Sequence, residues 1–286
     1  DGFYTLMIGC SDMGTGCDTI LAQMAADGLG CDMDNIIVRG VDTDQSPYDS
    51  GSYASSTTYV TGGAVVKACE SMRKRICEEA AAIMGLKSGE VDFDGETISE
   101  NDNPEHSMTL SDLITSLEAG NGRIIEVTES HTSPVSPPPF MAGAAEIEVD
   151  LETGKITPIN YVAAVDCGTV INTNLARIQT EGGIVQGMGM TLYEDVQYTE
   201  AGKMKNRNFM SYKIPTRLDM GSISVEFESS YEQTGPYGAK SIGEIVINTP
   251  APAIADAVYN ATGLRFRTLP ITAEQVMMGL LEREEA

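Results

Sequence analysis

The chain has 286 residues, 42% hydrophobic and 21% charged, enough for one large domain or two modest ones. With no Trp and 6% aromatics its core must be aliphatic, with the 15 Met and the alanines as filler. A formal charge of -24, from 18 basic and 42 acidic side chains, repels duplex nucleic acid and anionic membranes, which excludes both as partners. Cys10, Cys17, Cys31, Cys69, Cys77 and Cys167 form no CxxC pair, and His106 and His131 are the only histidines. That excludes a standard zinc finger and an iron–sulfur cluster carried by this chain. Scattered free thiols fit a reducing, cytoplasmic setting. The sequence shows no signal peptide and no apolar run of membrane length.

In chain order, residues 3–9 read as a strand, so close to Asp1 that the chain is expected to be cut or processed from something longer. A turn over Ser11–Gly16 leads to a helix from Asp18 to Ala26, with Gly30 as its C-cap. Residues 35–42 form a second strand. Thr61 is placed to N-cap a long helix over 62–84, with Val65, Val66, Cys69, Met72, Ile76 and Ile83 at helical spacing. Residues 85–105 read as irregular strand and turn, with 99–104 an exposed loop; 110–117 as a short helix; 124–128 as a strand. The run Thr132-Ser-Pro-Val-Ser-Pro-Pro-Pro139 favours extended polyproline backbone. It divides the chain into a first subdomain (1–131), a linker (132–141) and a second subdomain (142–286). In the second, 145–150 alternates as a strand and turns at 152–155 into a partner running to Asp166. Helices are expected over 174–187, 251–261 and from Thr272 to Leu281, and strands over 190–198 and 223–228. The sum is α+β, mixed sheets with packed helices.

Three stretches put small or hydroxyl residues at helix starts: Gly14-Thr-Gly16, Ser52-Tyr-Ala-Ser-Ser-Thr-Thr58 and Gly182 to Gly189 around Gln186. A helix N-terminus offers N–H donors and a positive dipole end, and small residues let an anion reach them. None is a standard phosphate motif, and each alone also reads as a cap and a turn. A fourth stretch, Tyr237-Gly-Ala-Lys-Ser-Ile-Gly-Glu244, ends a small-residue loop on a carboxylate flanked by Ile242, Ile245, Val246 and Ile247. Desolvation raises a carboxyl pKa and suits a general base, so Glu244 is the candidate base, expected in a poorly solvated place. His106 and His131 read as surface residues, Asp42-Thr-Asp44 as a turn, Met188 and Met190 as core, and Asp112 and Glu118 as a solvated helix face.

Four stretches in order resemble the xanthine dehydrogenase/aldehyde oxidase family of molybdenum hydroxylases: Asp12-Met-Gly-Thr-Gly-Cys-Asp-Thr19 with Gln23, Asp42 to Gly62 containing Tyr53-Ala-Ser-Ser56, Gly182-Gly-Ile-Val-Gln-Gly-Met-Gly189, and Gly238-Ala-Lys-Ser-Ile-Gly-Glu244. The resemblance covers essentially the whole chain. It implies a molybdenum held by the dithiolene of a molybdopterin dinucleotide, with no direct side-chain ligand, and carrying a terminal sulfido or selenido group. It implies Glu244 as the catalytic base and Gln186, with Gly187, beside the metal's oxo ligand. Gly14, Thr15, Gly16, Ser52, Tyr53, Ala54, Ser55, Ser56, Thr57, Lys240, Ser241, Ile242 and Gly243 would hold the pterin and its pyrophosphate. Family members usually carry Gln where this chain has Thr15. Within the family the chain is most similar to nicotinate hydroxylases whose molybdenum subunit is split in two. That likeness implies the cytosine form of the cofactor, a second, large molybdopterin subunit, and separate 2Fe-2S and FAD subunits. The reaction would be hydroxylation of a small N-heteroaromatic acid, with a purine or aldehyde hydroxylase and a non-catalytic cofactor-carrying assembly subunit as the alternatives.

Overall fold

Tyr4–Met7 alternates half-buried and exposed side chains as β1, which pairs in parallel with β2 (Ile36–Arg39), Tyr4 opposite Ile36. The crossover is α1 (Cys17–Leu29), closed by Gly30 in the left-handed conformation, as its sequence position predicts. The computed structural model describes residues 2–284. In it the chain divides into two units, Asp1–Pro137 with Tyr231–Ser241, and Pro138–Ser230 with Ile242–Ala286. The unit boundary lies inside the 132–141 stretch. One part of the sequence division is corrected: residues 231–241 pack with the first unit, not the second.

In the first unit α2 (Gly62–Met84) spans the residues that periodicity predicts. Its buried Ile76, Ala80 and Ala81 meet Val91 and Phe93 of β3 (Val91–Phe93), Ile98 of β4 (Thr97–Glu100) and Leu113 and Leu117 of α3 (Leu110–Asn121). With β5 (Asn103–Thr109), β3 and β4 make an antiparallel sheet in the order β3-β4-β5, so the expected exposed loop at 99–104 is a tight strand connection. Arg73 of α2 ties the parts together: Nη1 donates to the Leu29 carbonyl at 2.9 Å, Nη2 donates to the Phe93 carbonyl, and the guanidinium lies 5.3 Å from the Phe93 ring centre. Three further expectations are corrected. Thr61 has helical backbone and donates its hydroxyl to Asp49 at 3.2 Å instead of capping; the chain enters α2 through a π turn over Thr57–Thr61. Ile83 is exposed, and residues 124–128 form no strand.

In the second unit β6 (Phe140–Val149) and β7 (Ile156–Asp166) form a long antiparallel ladder, and β8 (Ser222–Phe227) adds in parallel to β7. The inward row of β7, Tyr161, Ala163 and Val165, is fully buried. It packs against Ile184 and Met188 of α4 (Thr173–Leu192), Ile254 and Val258 of α5 (Pro250–Thr262), and Val276 of α6 (Ala273–Glu284). Thr272 caps α6 reciprocally with Gln275, at 3.2 and 3.0 Å. The expected strand at 190–198 is absent because α4 continues to Leu192, which leaves Met190 exposed while Met188 is core.

A Cβ built on Gly143 of β6 would lie 2.0 Å from the Tyr161 hydroxyl and 2.8 Å from Thr249 Oγ1. Gly143→Ala is therefore expected to destabilise the protein by about 1–3 kcal/mol, the usual cost of overpacking. Thermal denaturation followed by circular dichroism checks this; an unchanged melting temperature would refute the packing role.

Candidate functional site

In the first unit the loop between β1 and α1 is organised by Asp12. Its Oδ1 accepts the N–H groups of Gly14 (2.8 Å) and Gly16 (3.2 Å), and its Oδ2 that of Asp18 (3.4 Å). Desolvation pushes this carboxyl's pKa up, but the donors from Gly14, Gly16, Asp18 and Thr15 outweigh it and leave the pKa below the ordinary value. The donors that the sequence offers to an anion at Gly14 and Gly16 are thus turned toward Asp12. Gly14 and Thr15 are exposed, and Gly16 is half-buried with a left-handed backbone. A cavity of about 720 Å³ opens at the carboxyl ends of β1 and β2, lined by Met7, Asp12, Asp18, Arg39, Asp42 and Ser46 among others. Ligands of parallel sheets bind at such ends. Ligand atoms of Asp12, Cys17 and Asp18 lie within 4.8 Å of one another, but Asp12 is engaged by backbone donors and the Cys17 thiol faces Asp18 Oδ1 at 3.8 Å. The group is satisfied within the loop.

The second segment of this unit, Ser52–Thr57, carries unusual backbone. Ala54 (φ 52°) and Ser55 (φ 55°) are left-handed, and Thr57 starts the π turn that feeds α2. Tyr53 and Ala54 are exposed; Ser52, Ser55, Ser56 and Thr57 are half-buried. Beside it the returning segment 231–241 is pinned by two tyrosines. Tyr59, itself buried, shares a 2.6 Å hydrogen bond with Thr234 Oγ1, and Tyr237 donates to the Met24 carbonyl at 3.1 Å. Burial, then the Asp27 charge, push the Tyr237 phenol up to about 12. Tyr237 is also left-handed (φ 52°) and is followed by left-handed Gly238. Lys240 is buried and Ser241 half-buried.

In the second unit Ile242, Gly243 and Glu244 lead into a 3₁₀ turn over Ile245–Ile247 and then α5. This turn packs on the glycine-rich stretch of α4. A Cβ on Gly183 would lie 2.1 Å from Val246 Cγ2, and one on Gly187 2.9 Å from the Ile247 carbonyl oxygen. The helix carrying Gln186 and the turn carrying Glu244 are thereby held together at a separation that only glycine permits. Gln186 is exposed and Gly187 buried. Glu244 is exposed, which corrects the expectation of a poorly solvated carboxylate. Successive residues of a 3₁₀ turn point about 120° apart, so Val246 is fully buried while Glu244 faces outward.

Sequence reasoning missed the tyrosine anchors and Asp12; the Asx-turn pattern of Asp12 two residues before Gly14 was the available signal for the latter. His106 donates at Nδ1 to the Glu100 carboxylate (Oε2, 2.8 Å). His131 lies against Gly63, half-buried, its pKa lowered by burial and then by Lys67.

With this geometry in hand, residues 1–221 match the family model described as the molybdopterin cofactor-binding domain. The chain belongs to that family, the molybdopterin-binding domain of xanthine dehydrogenase, CO dehydrogenase and aldehyde oxidoreductase. It is 33% identical over 98% of its length to a probable hypoxanthine oxidase of Escherichia coli, covering 29% of that protein. It is 30% identical over 96% of its length to a putative xanthine dehydrogenase molybdenum-binding subunit of the same organism, covering 37% of it. Among solved structures, quinoline 2-oxidoreductase from Pseudomonas putida matches 99% of the chain with a TM-score of 0.83 at 26% identity, over 37% of that chain. The chain thus spans about a third of the length of these relatives. Among the described residues no helix is long and apolar enough to cross a membrane.

Two variants test the site's construction. Asp12→Asn keeps one acceptor oxygen but removes the carboxylate charge and one of the two oxygens that take backbone N–H groups, and is expected to lower thermal stability at pH 7. Because the folded-state pKa lies below the ordinary 3.8, the deficit should shrink as the pH falls through the acid range beneath 3.8; a deficit independent of pH would refute it. Gly183→Val should displace the Glu244 turn at a cost of about 1–3 kcal/mol, read as faster amide exchange at 244–248 with α4 protection retained.

Proposed function

We propose that this chain cradles a molybdopterin dinucleotide in its cytosine form and presents Glu244 as the general base of a molybdenum hydroxylase. One observation carries the reading. Among the described residues, the only non-glycine positions with left-handed backbone are Ala54, Ser55 and Tyr237; the first two fall in a segment proposed to hold the cofactor, and Tyr237 lies just before the other, Lys240–Gly243. Each costs roughly 1–2 kcal/mol, and such strain collects where a ligand is gripped. Within the first unit the donor set suits a pterin and its pyrophosphate: the hydroxyls of Ser52, Ser55, Ser56, Thr57 and Ser241 with the Lys240 ammonium.

When bound, the cofactor would supply the two-electron redox centre, with a terminal sulfido or selenido ligand. Gln186, on α4 against the Glu244 turn, orients the reacting group through its side-chain amide. Glu244 takes the proton released as water supplies the oxygen. The substrate is a small N-heteroaromatic acid, nicotinate, giving 6-hydroxynicotinate. The resemblance to split-chain nicotinate hydroxylases supports this, as does the pyridine ring within the substrate named for the quinoline relative. A second large molybdopterin subunit, a 2Fe-2S subunit and an FAD subunit complete the enzyme in the cytoplasm. A second reading, a purine hydroxylase, is favoured by the 33% identity to the hypoxanthine oxidase. A turnover panel of nicotinate, hypoxanthine and an aldehyde on the purified complex separates them.

Glu244→Gln in that complex is expected to cut turnover by roughly 10²–10⁴-fold with molybdenum and pterin contents unchanged. Near-normal turnover at full cofactor loading would remove Glu244 from the role.

A further inference from the structure

We propose that Tyr59 is a positioning residue for the cofactor: its hydroxyl locks the segment carrying Lys240 and Ser241 to the segment Ser52–Thr57. The proposal rests on the functional reading above. Tyr59 lies in the π turn over Thr57–Thr61 and is 4% exposed. Its Oη shares the 2.6 Å bond with Thr234 Oγ1, and Ser133 Oγ donates to it at 3.1 Å. The direction of the first bond follows from the next one along. Thr234 gives both its hydroxyl (2.6 Å) and its N–H (2.9 Å) to Glu232 Oε1. A hydroxyl has one proton and a carboxylate only accepts, so Tyr59 is the donor to Thr234. The chain therefore runs from Tyr59 through Thr234 to Glu232 and ends on a charge, which strengthens each link. The Thr234 hydroxyl, then its N–H, hold the Glu232 carboxyl below its ordinary pKa, and the Lys240 charge adds to the effect, so the charge is present at neutral pH.

Glu232 fixes its own segment in turn. Its N–H donates to the Gly238 carbonyl at 3.0 Å, while Gly235 donates to the Glu232 carbonyl and Gly238 to the Gly235 carbonyl, each at 3.1 Å. Residues 232–238 thus close on themselves, and the loop delivers the chain to buried Lys240 and half-buried Ser241. The Tyr59 ring fits this loop as well. A Cβ on Gly235 would lie 3.2 Å from Tyr59 Cε2 and would strike the Ala239 carbonyl. The loop's other anchor, Tyr237 on the Met24 carbonyl, ties it to α1. The Tyr59 bond instead ties it to the turn that directly follows Ser52–Thr57, across 175 residues of sequence. A ligand gripped by two such segments is held tightly only where a supporting bond fixes their spacing. Tyr59 touches neither Lys240 nor the seryl hydroxyls in this account; it acts through the loop that carries one segment and the turn that follows the other.

The test uses the purified complex. Its molybdenum and pterin contents are followed over time in cofactor-free buffer, and amide exchange is read by mass spectrometry. The variants are Tyr59→Phe, which keeps the ring, Thr234→Val, which keeps the shape, and Thr234→Ser, which keeps the hydroxyl. Thr234 is exposed, so its two variants carry the test if a change at the buried ring unfolds the chain. Tyr59→Phe and Thr234→Val should each lose pterin about tenfold faster than wild type, the scale set by one charge-linked hydrogen bond. Exchange should quicken at 238–241 and stay unchanged in α3. The double variant should lose pterin no faster than either single one, since both cut the same link. Thr234→Ser should hold pterin as the wild type does. A purely structural role would quicken exchange and leave pterin loss unchanged, and that result overturns the proposal, as does additive loss in the double variant or loss from Thr234→Ser equal to that from Thr234→Val. A wild-type complex holding neither molybdenum nor pterin defeats the functional reading and this proposal with it. Pterin lost equally fast from wild type, Tyr59→Phe and Thr234→Val defeats this proposal alone.

Discussion

The second unit depends on the burial of one ring, Tyr161 of β7. It is fully buried at the centre of the sheet's inner face, beneath a glycine of β6, and its hydroxyl reaches Thr249 Oγ1 at 2.8 Å. A phenol sealed in an apolar core must find a partner, and here the partner sits at the start of α5. One side chain therefore sets the height of β6 above the helices and the position of the chain that descends from Glu244 into α5. The two close approaches of α4 to that chain, at Gly183 and Gly187, complete the fit.

The first unit solves a different problem. Its parallel β1-α1-β2 element needs the loop after β1 to turn sharply, and Asp12 does this by gathering backbone donors that would otherwise be unpaired at the helix start. Asp12 thereby competes with any external anion for the same N–H groups. The hydroxyl-rich segment before α2 and the strained turn at Tyr237 hold their geometry instead through Tyr59, Tyr237 and the π turn, which keeps their backbone distorted without a buried charge. The proposed cofactor contacts therefore fall more naturally on the second and fourth segments than on the first.

Much of the architecture was legible because local signals agreed. α2 follows from its apolar spacing, α1 and α5 end at Gly30 and Gly263, and α6 begins at a Thr272 cap. The misreadings share a cause. Residues 182–189 hold four glycines, so propensity argues for ending the helix near Gly187; packing of Gly183 against Val246 and of Gly187 against Ile247 and Pro250 sustains it to Leu192. Residues 124–128 have strand-like composition but pair with no strand, and they remain irregular. At the candidate site, the ordered set of small-residue segments was readable as a pattern, but the outward turn of Glu244 was not, since neighbouring apolar residues do not say which way the residue entering a 3₁₀ turn points.

The sequence by itself determined the helices, the family and the residues to inspect, because these rest on local periodicity and on residue types at set spacings. Only the tertiary structure decided that 231–241 belongs with the first unit, that Asp12 claims the donors of its own loop, that Ala54, Ser55 and Tyr237 are left-handed, and that Glu244 faces outward. Each of these depends on contacts between segments far apart in the chain, and such contacts leave no periodic trace in the residues that make them.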